Sequence, residues 1–245
     1  MPRLTALFLF TILTATAGAL AQQPPAPSLV APPAPATASL AKLPALELAR
    51  GYLAALSALP LTQAARDGQG ILTVGIDGTA YQVNAANGDQ FIKLMQDRAK
   101  VYGDAISARG APMIDGQYGL SVGSSCKGEK FDPRVIFAGG RAPDGTPILA
   151  TTARIVQTGI ETDLLVTLVR NRQTIGEIIS GTAVDNVVIF SDVMGNGFSF
   201  YGDIKGDTIA LRLDPEEVKD VLGANAATDA DWQALGACVF TLTKR

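Results

Sequence analysis

The chain has 245 residues, a formal net charge of −3, 47% hydrophobic side chains and no histidine. The missing imidazole excludes every Ser-His-Asp triad, Cys-His pair and H-E-x-x-H zinc site. A mildly acidic balance without a basic block gives no electrostatic footing for nucleic acid, while the apolar content suffices for a packed core.

Residues 1–21 read as a secretory signal peptide. Arg3 supplies the positive n-region, residues 4–15 are apolar apart from their threonines, and Ala19-Leu20-Ala21 forms an A-x-A cleavage site before Gln22. The apolar run is shorter than the roughly 18–20 residues a membrane span needs. Cleavage after Ala21 leaves 224 of the 245 residues, and loss of Arg3 moves the net charge from −3 to −4. The expected product is a soluble periplasmic or secreted protein with no stable membrane insertion.

Residues 22–38, QQPPAPSLVAPPAPATA, contain six prolines in 17 positions. Proline fixes φ and cannot donate a hydrogen bond, so helix and sheet are both disfavoured. The segment reads as a disordered tether of polyproline-II character. A ligand for a proline-binding module is the alternative reading.

Residues 39–110 form a helix–hairpin–helix lead-in. Leucine and alanine dominate residues 40–59, which predicts a short amphipathic helix with Pro44 in its first turn and Leu46, Ala49, Leu53 and Leu56 on one face. In ILTVGIDGTAYQVNA, Asp77-Gly78 separates two apolar runs and suits the positive φ values of a type I′ hairpin. Phe91, Leu94, Met95, Ala99, Tyr102 and Ile106 then recur every three or four residues, predicting a second amphipathic helix that ends near Gly110.

From residue 111 to 245 the period changes to two. Strands are expected at 113–123, 134–138, 147–156, 162–170, 174–180, 186–191, 197–204, 208–213 and 238–243, separated by Gly-rich or Asp-rich turns. Phe198, Phe200, Gly202 and Ile204 share one face, as do Ile209, Leu211 and Leu213. A short helical insert is expected at 214–235, opened by Asp214-Pro215, holding the only tryptophan, Trp232, and placed to plug one end of a barrel. The fold class is therefore α+β, mainly β. An antiparallel meander closes into a barrel or a strongly curled sheet, because open edges are a liability, and the lead-in packs on it. Short strands, 6% aromatic residues and a Lys244-Arg245 ending speak against an outer-membrane barrel.

Two motifs in the segment 115–128 invite a catalytic reading. GLSVG fits G-x-S-x-G, but a nucleophile elbow needs a helix after Ser121, and none is encoded. SSCK fits S-x-x-K, yet Ser124 and Lys127 face each other only on a helix, and the companion S-D-N and K-T-G motifs are missing. Cys126 is instead expected to bond Cys238, pinning the first and last strands of the β region together. Two distant cysteines cannot supply a four-ligand zinc site.

GNG at 195–197 reads as a turn. Asp163, Asp185, Asp192, Asp203 and Asp207 are candidates for an acid/base pair, and Tyr118, Arg154 and Arg170 for cavity-lining strand residues. No catalytic, metal or cofactor residue is assigned. The expected function is non-enzymatic binding of an unknown small apolar ligand or an envelope protein. The alternative is an envelope hydrolase using two carboxylates, or Ser and Lys.

Overall fold

The computed structural model describes residues 30–124, 126, 138–141, 143–144, 147–170, 173–191, 199–213, 231 and 236–245. The signal-cleavage residues Ala19, Ala21 and Gln22, together with Lys127, Asp192, Phe198, Trp232 and all of the 214–235 insert except Asp231, lie outside them.

The lead-in begins with a single helical turn, α1 (Thr37–Leu40), followed by α2 (Ala45–Arg66). Pro44 stands just outside α2 as its N-cap, where a missing N–H costs nothing. The helix is longer than its leucine-rich segment implies, because it runs through Pro60. That proline is exposed, and the helix continues because Thr62 and Ala65 beyond it are buried. Strands β1 (Leu72–Ile76) and β2 (Thr79–Val83) form the hairpin, with φ of 50° at Asp77 and 79° at Gly78, the paired positive values expected of the Asp-Gly turn. Helix α3 (Gly88–Arg109) follows and ends at Gly110, φ 93°. All six apolar residues expected on its inner face are buried.

The helices α2 and α3 meet at a reciprocal glycine–tyrosine contact. Gly51 faces the ring of Tyr102, and Gly103 faces the ring of Tyr52. A Cβ on residue 51 would overlap three atoms along the buried edge of the Tyr102 ring, which Arg98 also covers from 5.7 Å. Gly51→Ala is expected to cost about 1–3 kcal/mol by overpacking, despite alanine's better helix propensity, and urea denaturation measures it. Arg98 also donates to both carboxylate oxygens of Asp77, at 3.0 and 3.1 Å, tying the hairpin turn to α3.

Eight antiparallel strands close into a barrel: β3 (Gly116–Val122), β6 (Thr152–Thr158), β7 (Glu161–Arg170), β8 (Gln173–Val184), β9 (Val187–Ser191), β10 (Phe200–Lys205), β11 (Thr208–Leu213) and β12 (Phe240–Lys244). Each pairs with its neighbour in chain order, and β12 pairs back onto β3 with Phe240 opposite Val122 and Lys244 opposite Tyr118. Between β3 and β6, β4 (Ala138–Arg141) and β5 (Pro147–Leu149) form a separate hairpin. The single strand expected at 147–156 is thus two strands in two sheets, since the chain leaves the hairpin at Ala150 to enter the barrel. Strand β8 is longer than expected, because residues 181–184 continue it, pairing with β9 and, at 181 and 182, with the start of β7.

Alternation decides what fills the barrel. Tyr118, Leu120, Ile155, Leu164, Val166, Val188, Phe190, Phe200, Ile209, Leu211, Phe240 and Leu242 belong to one buried cluster. Phe200 and Phe240 meet edge to face, centroids 5.9 Å apart. Two glycines make room at the strand crossings. A side chain on Gly181 would overlap the carbonyl of Ile189 and the ring of Phe190, and one on Gly202 would press on the carbonyl of Ala210. Thr162 shares the parity of Leu164 and Val166, and its buried hydroxyl has no partner among the described residues. Thr162→Val is expected to hold or raise stability by up to about 1 kcal/mol, because valine leaves no polar atom unpaired; the same denaturation assay reads it.

The helices cover the outside of the barrel at β8, β9 and β10. Leu48, Ala49, Tyr52, Leu53, Tyr102 and Ile106 pack with Val184, Ile189 and Tyr201. Arg109, at the end of α3, donates to Asp185 in the β8–β9 turn and to the carbonyl of Leu43 at 2.6 Å.

At the seam between β3 and β12, the Cys126 and Cys238 sulfurs are 2.07 Å apart, at bonding distance, with Cα atoms 4.4 Å apart and both residues buried. A buried bridge of this kind suits an oxidising compartment. No helix among the described residues is long and apolar enough to cross a membrane.

A candidate binding cleft between the helices and the barrel

Among the described residues, the candidates singled out from sequence do not converge. Ser121, the serine of GLSVG, is an exposed residue within β3, paired opposite Thr241 in the ladder, and not at a strand-to-helix elbow. Ser124 lies in the turn after β3. Asp163 accepts from Ser180 Oγ at 2.8 Å, Asp185 pairs with Arg109, and Asp203 lies 3.5 Å from Arg212 Nη1 on the neighbouring strand. Asp207 sits in the β10–β11 turn. These four carboxylates thus serve separate strand and turn contacts. Arg154 points outward and is exposed. Tyr118 does point inward, where its hydroxyl donates to the Ile114 carbonyl at 2.6 Å. Burial first, then the Asp207 and Asp115 charges, raise its pKa.

Polar groups gather elsewhere, in a cleft of about 400 Å³ between α3 and the β6–β7 turn. Lys100, Gly103, Asp104 and Ser107 line it from α3, and Thr158, Ile160 and Glu161 from the turn, with Tyr52 reaching in from α2. The spacing i, i+3, i+4, i+7 places the α3 residues on one helical face. Lys100 Nζ donates to Asp104 Oδ2 at 2.6 Å.

The opposite wall is a tight turn held from several sides. Gly159 has φ 63°. Its carbonyl accepts from Gln157 Nε2 at 3.1 Å, and that of Ile160 accepts from Thr182 Oγ1 at 2.7 Å. Gln157 also donates through Nε2 to the Pro112 carbonyl at 2.8 Å and accepts through Oε1 from the Ile114 amide at 2.7 Å, so it fastens the α3–β3 connection to the same turn. Glu161 is thereby presented to α2, where the Tyr52 hydroxyl donates to Oε1 at 2.9 Å.

Burial, then the hydrogen bond to Glu161, then its negative charge, push the Tyr52 phenol well above its ordinary range. Its proton is therefore held more tightly in the folded chain than in the unfolded one. Below the unfolded value of about 10 both states are protonated and stability is unaffected; above it only the unfolded chain gains by ionising, so stability falls as pH rises toward the folded pKa. Urea midpoints measured at about pH 9 and about pH 11 should drop less in Tyr52→Phe than in the parent, with Tyr118 supplying part of the remaining drop.

Sequence reading missed this cleft. The α3 stripe is visible as polar residues at helical spacing, but nothing local announces that Glu161 of a β-turn faces it. No group of three metal-ligating side chains occurs among the described residues. No family model, no curated protein and no solved structure matches the chain.

Proposed function

We propose that the protein is exported to the periplasm or beyond and acts by binding, not by catalysis, with an envelope protein or a small polar ligand engaging the cleft between α3 and the β6–β7 turn. One observation carries this reading: the groups that look reactive are tied to one another. A general acid or nucleophile needs a pKa moved toward working pH, whereas Tyr52 is moved away from it. The cleft, about 400 Å³ in volume, is shallow and open to solvent, which suits a partner's surface or a small ligand held at the protein's edge. Inside the barrel, the place a small apolar ligand would take is occupied by Phe190, Phe200 and Phe240.

Export is supported by the A-x-A signal and by the buried cysteine pair. A lipid-exposed barrel would carry an apolar band outward; among the described residues the buried apolar cluster fills the interior, and the outer face exposes Ser121, Arg154 and Glu161 as well as Ile178.

A hydrolase is the second reading, because Asp104 and Glu161 line one cleft. Nuclear magnetic resonance of the oxidised mature protein, titrated with short peptides and peptidoglycan fragments, separates the two. Shifts confined to Tyr52, Lys100, Ser107 and Ile160, with the added compound intact, support binding. Steady breakdown of the compound, abolished by Glu161→Gln, supports the hydrolase. Absence of any shift in the cleft removes it as the site.

A further inference from the structure

Ahead of α1, residues 31–36 read Ala-Pro-Pro-Ala-Pro-Ala and belong to no helix or strand. Their burial repeats with a period of three: Ala31 and Pro32 are half-buried, Pro33 is exposed, Ala34 and Pro35 are half-buried, Ala36 is exposed. Three residues per turn is the repeat of the polyproline II helix. Ala36 has φ −70° and ψ 134°, close to that conformation. The inward positions are not merely near the protein. Ala31 and Ala34 pack against the small core of the lead-in, built from Ala65, Ile76, Val83, Phe91, Leu94 and Met95.

The rim of that core has the character of a proline-recognition surface. Half-buried Tyr81 stands against the fully buried ring of Phe91, centroids 5.7 Å apart, and the partly buried Leu72, Val74 and Leu59 complete the rim. Aromatic and aliphatic surfaces suit polyproline II segments, which bring a preformed backbone and lose little entropy on docking. Beside it, Leu61, Ala64, Gln69 and Ile71 join Ala65 and Leu72 around an apolar hollow of about 280 Å³. Leu61 and Ile71 are 54% and 61% exposed.

We infer that the α2–β1–β2–α3 unit is a binding site for proline- and alanine-rich extended segments, and that the chain's own residues 31–36 occupy it intramolecularly. The ligand class follows from the three-residue burial repeat and the small side chains at the inward positions. The intramolecular occupant follows from the continuity of residues 31–36 into α1, whose Leu40 is buried against α2 and α3.

The test keeps the full mature chain and loosens only the strap. Ala31→Asp with Ala34→Asp places two charges where methyl groups meet the cluster, at half-buried positions whose substitution leaves the helices and barrel intact, as circular dichroism checks. A fluorescent peptide of residues 30–38 is then titrated into the parent and the double variant. The variant should bind the peptide at least about tenfold more tightly than the parent, whose site is filled at high effective concentration. A peptide carrying the same two aspartates should not bind either protein. Equal binding by parent and variant, or by neither, would overturn the inference. So would a concentration-dependent dimer of the parent that the double variant lacks, since the occupant would then be a second copy.

Discussion

Replacing Cys126 and Cys238 together by alanine is expected to lower stability by as much as about 4–5 kcal/mol, the loop-entropy value for a bridge spanning 112 positions. The cysteines flank the ladder that closes the barrel, Cys126 just after β3 and Cys238 just before β12. Without the bond, β12 is held by its two neighbours alone, so hydrogen exchange should accelerate first in β12 and in β3 facing it. Urea denaturation of the oxidised, reduced and double-alanine proteins measures the loss, and intact mass under non-reducing conditions shows the two missing hydrogens of the bridge. An unchanged midpoint on reduction would mean that strand pairing alone closes the barrel.

Phe240→Ala is expected to cost about 3–5 kcal/mol, the range for removing a large aromatic from a packed core. Phe240 is fully buried, stands opposite Val122 at the seam and lies edge to face on Phe200. The cavity would open between the closing strand and the centre of the cluster, where neighbours on both sides are fixed in the ladder. Because the two rings touch, Phe200→Ala with Phe240→Ala should cost less than the sum of the single changes. A double-mutant cycle by chemical denaturation reads both values. A loss below about 1 kcal/mol for Phe240→Ala would show that the barrel collapses onto the space, contrary to a rigid closed ring.

Much of this architecture is legible in the sequence because the barrel obeys alternation. Phe200, Gly202 and Ile204 on β10, and Ile209, Leu211 and Leu213 on β11, announce their inner face residue by residue. The Asp77-Gly78 hairpin and the α3 face are equally local signals. Strand β9 is different. Val187-Val188-Ile189-Phe190 is apolar without alternation, since Val188 and Phe190 point into the barrel while Ile189 lies under the helices. A continuous apolar run of that kind marks a strand covered on both faces, and it identifies where α2 and α3 dock.

The candidate cleft was not legible for the opposite reason. It depends on the register between a helix and a turn some sixty residues later in the chain, and on Tyr52 crossing from a third element to reach Glu161. Of the aspartates that stood out from sequence, Asp185 and Asp207 occupy turns, where aspartate is favoured, while Asp163 and Asp203 lie in strands β7 and β10. The proline segment was readable as extended, but its composition alone does not reveal that two alanine methyls find a seat.

The pairing of β3 with β12 also sets an order of events during synthesis. Every other rung of the ring joins strands consecutive within it, and each can pair once its second strand has emerged. The final rung has to wait until residues through Lys244 exist. Until then the cylinder is an open ribbon with two raw flanks, the state most prone to sticking to its own kind. The ring therefore closes last, at the same seam that the Cys126–Cys238 bridge fastens.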